Sequence, residues 1–123
     1  METVDKLSLY EAKEKLIRQT VAQLSKDFAQ FGLEITFPDS MKMAYPHVLH
    51  EVTGHLDSLF AGDQSRLASL LYHIDIAEIE IVDAWSQHPG QSRTHILAEL
   101  ILFREFKKVI YRNHYSRQKQ VPD

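Results

Sequence analysis

The sequence has no cysteine, which excludes a disulfide framework, a thiolate zinc site, an iron–sulfur cluster and a thiol nucleophile. Its four glycines, Gly32, Gly54, Gly62 and Gly90, are scattered, so neither a phosphate-cradling loop nor a dinucleotide fingerprint is present. A Gly-x-Ser-x-Gly nucleophile elbow is missing too. The longest mostly apolar stretch, Ile96 to Phe103, interrupted by Glu99, is far too short to cross a bilayer, and the charged beginning METVDKLSLYEAKEK has no apolar run to act as a secretion signal. The expectation is a cytoplasmic protein that does not enter membranes. A formal charge of −3 argues against a surface that coats nucleic acid as a whole. What is present is one domain's worth of residues, 123, of which 44% are hydrophobic and 25% charged. Seven histidines are the unusual feature.

Hydrophobic periodicity predicts an all-α fold, an antiparallel bundle of four main helices, or five if the third breaks. Ser8 and Glu11 have the capping-box spacing and mark a first helix that runs to Phe31, with Gly32 beyond its end. Leu9, Leu16, Ile17, Thr20, Leu24, Phe28 and Phe31 form its expected buried stripe. Leu33, Ile35 and Phe37 then alternate with polar residues up to Pro38, a short extended segment at 33–37 expected to lie across one end of the bundle rather than pair with a second chain. A second helix starts near Pro46 and ends at Gly62, burying Tyr45, Val48, Val52, Leu56 and Leu59. The third carries Leu67, Leu70, Leu71 and Ile74 on to Ile81, Val82 and Trp85, with Asp75 to Glu78 as a place to kink or restart. After His88-Pro89-Gly90, a last helix runs from about Ser92 to about Tyr115, nearly apolar all round in its first half. With no repeat or linker, residues 1–123 form a single helical-bundle domain, of which 116–123 is a polar tail. The expected helical fraction is about two thirds, well above the usual third.

His50-Glu51-Val52-Thr53-Gly54-His55 resembles a zincin helix at first sight, but its histidines are five apart and point about 140° apart, whereas metal ligands four apart share a face. His47, Glu51 and His55 do share a face, yet its outer members are about 12 Å apart along the axis, too far for one ion. His47 and His50 are therefore read as solvated. Acidic residues fall where the stripes call for hydrophobes: Asp27 in the first helix and Glu78 in an unbroken third. Arg104 points to the core side of the last helix and is the expected partner of Asp27 or Glu78, since a buried carboxylate needs one. The same carboxylates, joined by His95 and Glu99, are the residues of the competing reading, a metal-dependent bundle enzyme. No cofactor or metal is expected; His95, Glu99 and His55 are the positions left to test. A third reading is nucleic-acid binding through the basic end of the last helix, where Arg104, Lys107, Lys108, Arg112, Arg117 and Lys119 meet only Glu105 and are interleaved with Phe103, Phe106, Tyr111 and Tyr115. Acidic residues on the second and third helices offer these cations a simpler role.

Three stretches, Gln23–Phe28, Leu70–Ile76 and Phe103–Ile110, resemble short all-helical proteins of Bacteroidetes-type bacteria with no assigned activity. The resemblance implies a small helical bundle and carries over no catalytic residue. The preferred reading is a non-enzymatic cytoplasmic interaction or structural protein, a homodimer through its apolar last helix, with another protein partner as the variant.

Overall fold

The computed structural model describes residues 2–120 of the chain and the side chains of 11–116. Five helices follow one another: α1 Glu2–Ala29, α2 Ala44–Gly62, α3 Gln64–Ile74, α4 Glu78–Gln87 and α5 Arg93–Gln120, with a short 3₁₀ turn, Met41–Met43, leading into α2. No strand is formed among the described residues, and 81% of the molecule is helical. The excess over two thirds comes from α1 and α5. Each has 28 residues and is about 42 Å long, extending beyond its apolar stripe. α1 is already helical at Glu2, so Ser8 does not start it; nothing between Glu2 and Leu7 breaks a helix. α5 continues past Tyr115 to Gln120.

These two helices form an antiparallel pair, since Asp27 meets Lys108, Gln23 meets Arg112 and Gln19 meets Asn113. α2 packs against α5 and α3, and α4 against α5. Leu24, Phe28, Val52, Leu56, Leu70, Ile74, Leu97 and Ile101 make the fully buried centre. Apolar burial of this kind is the main source of the bundle's stability.

The end of α1 illustrates how sequence sets a turn. Gly32 has φ +72°, the left-handed conformation that glycine adopts without steric cost. Its N–H reaches the Ala29 carbonyl, and the Leu33 N–H reaches that of Phe28. This is a complete Schellman motif. Arg66 of α3 locks it by donating from Nε and Nη2 to the Phe31 carbonyl. The chain then runs extended through 33–37, with Leu33 and Ile35 buried but Phe37 53% exposed, because Phe37 has passed the edge of the core.

Without a strand partner, the backbone polar groups of this segment need other partners, and α2 supplies them. Glu51 accepts from the Thr36 N–H at 2.9 Å and from its hydroxyl at 2.8 Å; His55 Nε2 donates to the Glu34 carbonyl at 2.7 Å; His47 Nε2 lies 3.2 Å from the Thr36 carbonyl. The face bearing His47, Glu51 and His55 is thus the dock for 33–37. Only His50 of that helix is solvated as expected.

The third helical region does break, at Asp75, but not by a capping box. Asp75 has φ 69° and closes α3, its N–H and that of Ile76 returning to Tyr72 and Leu71, while the residue before α4 is Ala77, with no side-chain cap. The break rotates α4, so Val82 and Ile79 face outward and Ile81 alone is fully buried there. Tyr45 also stays outside, 54% exposed, because α2 begins at Ala44 and buries Ala44 and Val48 instead.

Candidate functional site

Two places in the fold hold polar chemistry or space. The first is a cluster of ionisable groups where α1, α3 and α5 meet. Asp27 is 3% exposed and Glu105 fully buried. Lys108 Nζ lies 3.4 Å from Asp27 Oδ2 and 3.1 Å from Glu105 Oε1. His73 of α3 places Nε2 3.1 Å from Asp27 Oδ1, and Gln23 Nε2 donates to both Asp27 oxygens at 3.2 Å. Arg112 in turn holds the Gln23 carbonyl at 2.7 Å. Three groups therefore attend one carboxylate, with Arg112 behind Gln23.

Glu105 is treated differently. Neither of its oxygens has a properly aligned donor; the Lys108 ammonium is close but off the hydrogen-bonding direction. A buried carboxylate in that position is costly, and a second carboxylate beside it adds repulsion. Burial first, then the contact with Asp27, push the Glu105 carboxyl up to about 8, against a smaller opposing pull from Lys108. At neutral pH it is mostly protonated, beside the ionised Asp27 carboxylate. Burial would raise Asp27 as well, but hydrogen bonds from Glu105 and Gln23, the Lys108 charge and His73 outweigh it and hold Asp27 below its ordinary value. The pair holds one negative charge and one proton, neutralised by Lys108. None of these groups lines the three recesses described below.

Sequence reasoning placed Asp27 in the core correctly but gave it the wrong partner. Arg104 instead reaches across to Asp75 at 2.7 Å, and Asp75 is largely exposed. Lys108, one turn further along α5, takes the inner position. Glu78 is exposed in the first turn of α4, where its charge favours the helix dipole, and it is not a core residue. His95 and Glu99 do meet, Nε2 to Oε1 at 3.4 Å, with the Tyr45 hydroxyl donating to Glu99 at 3.3 Å. His55 is occupied by the Glu34 carbonyl and packs 6.1 Å from the Phe28 ring. The residues suggested for a metal centre thus lie in separate places, and among the described residues no three His, Asp or Glu side chains converge as an ion would need.

An expected result follows for Arg104. Its pair with Asp75 is exposed, and such pairs contribute little, about 0.2–1 kcal/mol. Arg104→Met should therefore shift the urea midpoint only slightly. A loss of several kcal/mol would show that Arg104 serves the buried carboxylates after all.

The second place is a groove of about 530 Å³ between α1, the start of α2 and α5. Ile17, Thr20 and Val21 line one side, Met41, Lys42, Tyr45 and Val48 another, and Glu99, Leu102, Phe103 and Phe106 the third. Burial and the neighbouring Glu99 raise the Tyr45 hydroxyl above its usual pKa, so it remains a donor. Two further recesses lie beside His95, of about 650 Å³, and beside Trp85, of about 300 Å³.

No known family model, curated protein or solved structure matches this chain significantly.

Proposed function

We propose that the protein acts by association rather than catalysis, as a non-enzymatic helical bundle that pairs with a second copy of itself through the outer face of α5. One observation carries the reading. Most of the apolar surface of α5 is absorbed inside the chain by Ile96, Leu97, Ile101, Leu102 and Val109, but Phe103, Ile110 and Tyr111 remain 41–58% exposed. They lie within about 100° of one another around the helix, opposite Ile101 and Glu105, and form a continuous strip of the kind that marks an interaction surface. Lys107 covers part of it, its ammonium 5.1 Å from the centre of the Phe103 ring. A twofold pairing of two such strips is the simplest closed assembly.

The competing classes have less support. Three of the six cations suggested for nucleic acid are engaged within the molecule, Arg104 by Asp75, Lys108 by Asp27 and Arg112 by Gln23. No helix of the described residues is long and apolar enough to cross a membrane. The proposed setting is the cytoplasm of a Bacteroidetes-type bacterium, in keeping with the resemblance noted above.

Sedimentation equilibrium tests the pairing. The wild type should sediment as a dimer at micromolar concentration, and Ile110→Asp should weaken association by at least about tenfold, a cost of 1.4 kcal/mol, with an unchanged helical circular dichroism spectrum. A wild type that stays monomeric at high concentration would overturn the proposal.

A further inference from the structure

We infer that the two copies pair with their α5 helices antiparallel, each Phe103 lying on the partner's Ile110 about a twofold axis between Phe106 and Lys107. The arrangement rests on the self-association proposed above and fixes its direction and register. Phe103 and Ile110 are two turns apart along α5 and about 20° apart around it, so they share one line. Two such lines cover each other in either direction: like on like if the helices are parallel, Phe103 on Ile110 if they are antiparallel. Apolar matching is equal in the two cases, and charge decides between them.

From 75 to 99 the chain carries Asp75, Glu78, Glu80, Asp83 and Glu99 against one arginine, Arg93, whose guanidinium stacks on Trp85. Glu78, Glu80 and Asp83, all on α4, have no side-chain partner among the described residues. From 103 to 120 the sign is reversed, with Arg104, Lys107, Lys108, Arg112, Arg117 and Lys119 against Glu105, which is buried. The neighbouring part of α1 does not cancel this, since Lys13, Lys15 and Arg18 outnumber Glu11 and Glu14. A parallel pair sets the two basic ends side by side. An antiparallel pair sets each beside the partner's acidic end and opposes the helix dipoles as well. Area adds to this. Three side chains about half exposed offer no more than about 400 Å², against the roughly 800 Å² per partner of a standard interface, so the contact must extend past the strip. The next surface is α4: Leu97 and Arg104, where α5 meets α4 and Asp75, lie within about 40° of Tyr111 around α5. Against α4 the antiparallel pair brings a basic helix end, the parallel pair an acidic one.

Because the chain has no cysteine, single replacements on α5 report the pairing. A disulfide needs Cα atoms about 4.4–6.8 Å apart. In the antiparallel pair only a residue at the twofold axis meets its own copy, while positions 103 and 110 are each displaced by about 10 Å from theirs. The full chain is oxidised mildly at concentrations where sedimentation shows each variant to be a dimer with an unchanged helical spectrum. Lys107→Cys should link to itself, Phe103→Cys and Ile110→Cys should not, and a mixture of the last two should link to each other. Raising sodium chloride from about 0.02 M to about 0.5 M should weaken wild-type association by at least about threefold. Self-linkage of Ile110→Cys, a Lys107→Cys dimer that stays reduced, or association that salt leaves unchanged or tightens would overturn the antiparallel arrangement while leaving the dimer standing. A monomeric wild type would remove the pairing itself, and its orientation with it.

Discussion

Between about pH 5 and pH 8 the urea midpoint of this protein should fall steadily and then level off, the reverse of the usual behaviour of a protein rich in carboxylates. The cause is Glu105. Its carboxyl ionises near 4.5 when the chain is unfolded but only near 8 in the fold, so between those values the folded state holds a proton that the unfolded state has released. Stability then decreases with rising pH by about 1.4 kcal/mol per unit. The contribution is complete below the unfolded value and gone once pH passes the folded one. Asp27 works in the other direction. Its folded value lies below 3.8, so its contribution is present above that pH and lost as acid titrates the folded carboxylate. The two effects together place maximum stability near pH 4 to 5.

Glu105→Gln isolates this behaviour. The amide mimics the protonated carboxyl in shape and can donate to Asp27, so at pH 5 the variant should be about as stable as the wild type. At pH 9 it should be the more stable protein by several kcal/mol, because it has no buried charge to create. Denaturation curves at pH 5, 7 and 9 followed by circular dichroism give the comparison. If the two proteins lose stability in parallel as pH rises, Glu105 is not the group responsible.

The second large effect is expected at Phe28. Its ring is fully buried between α1, α2 and the extended segment, and its carbonyl accepts the N–H groups of both Phe31 and Leu33. Phe28→Ala leaves those backbone bonds possible but removes the ring against which Leu33 and His55 rest. Phenylalanine deletions at such sites cost about 3–5 kcal/mol, a large share of the roughly 5–15 kcal/mol that holds a domain of this size together. The loss should appear as a marked drop in urea midpoint, with amide protection disappearing first at Leu33 to Thr36. A change below about 1 kcal/mol would mean that the core repacks around the gap.

The helices and their order were legible because apolar spacing and the placement of Gly32, Gly62 and Pro89 are local signals. The break at Asp75 was legible only as an alternative: the sequence resembles a cap, whereas the actual device is a left-handed Asp75 that closes α3, a conformation decided by how α4 packs. In the buried cluster, Asp27 stood out because it lies between Leu24 and Phe28. Glu105 carried a similar signal, four residues after Ile101 and four before Val109, hidden by the basic residues around it. Lys108 and His73 could not be found this way. Their roles depend on the register of α1 against α5 and on the approach of α3, and a long side chain reaches either the interior or the solvent from the same helical angle.

The way residues 33–37 are held also bears on how freely this chain can vary. Contacts from His47, His55 and part of Glu51 end on main-chain atoms of Glu34 and Thr36, which any non-proline residue would offer in the same place. The side chains the segment itself contributes are Leu33 and Ile35, buried in the core, and the Thr36 hydroxyl, which meets Glu51 and His47; those of Glu34 and Phe37 take no part in the grip. Substitutions at Glu34 and Phe37 should be absorbed with little effect, while the demand for particular residues shifts to α2, where a histidine or glutamate has no common replacement with the same reach.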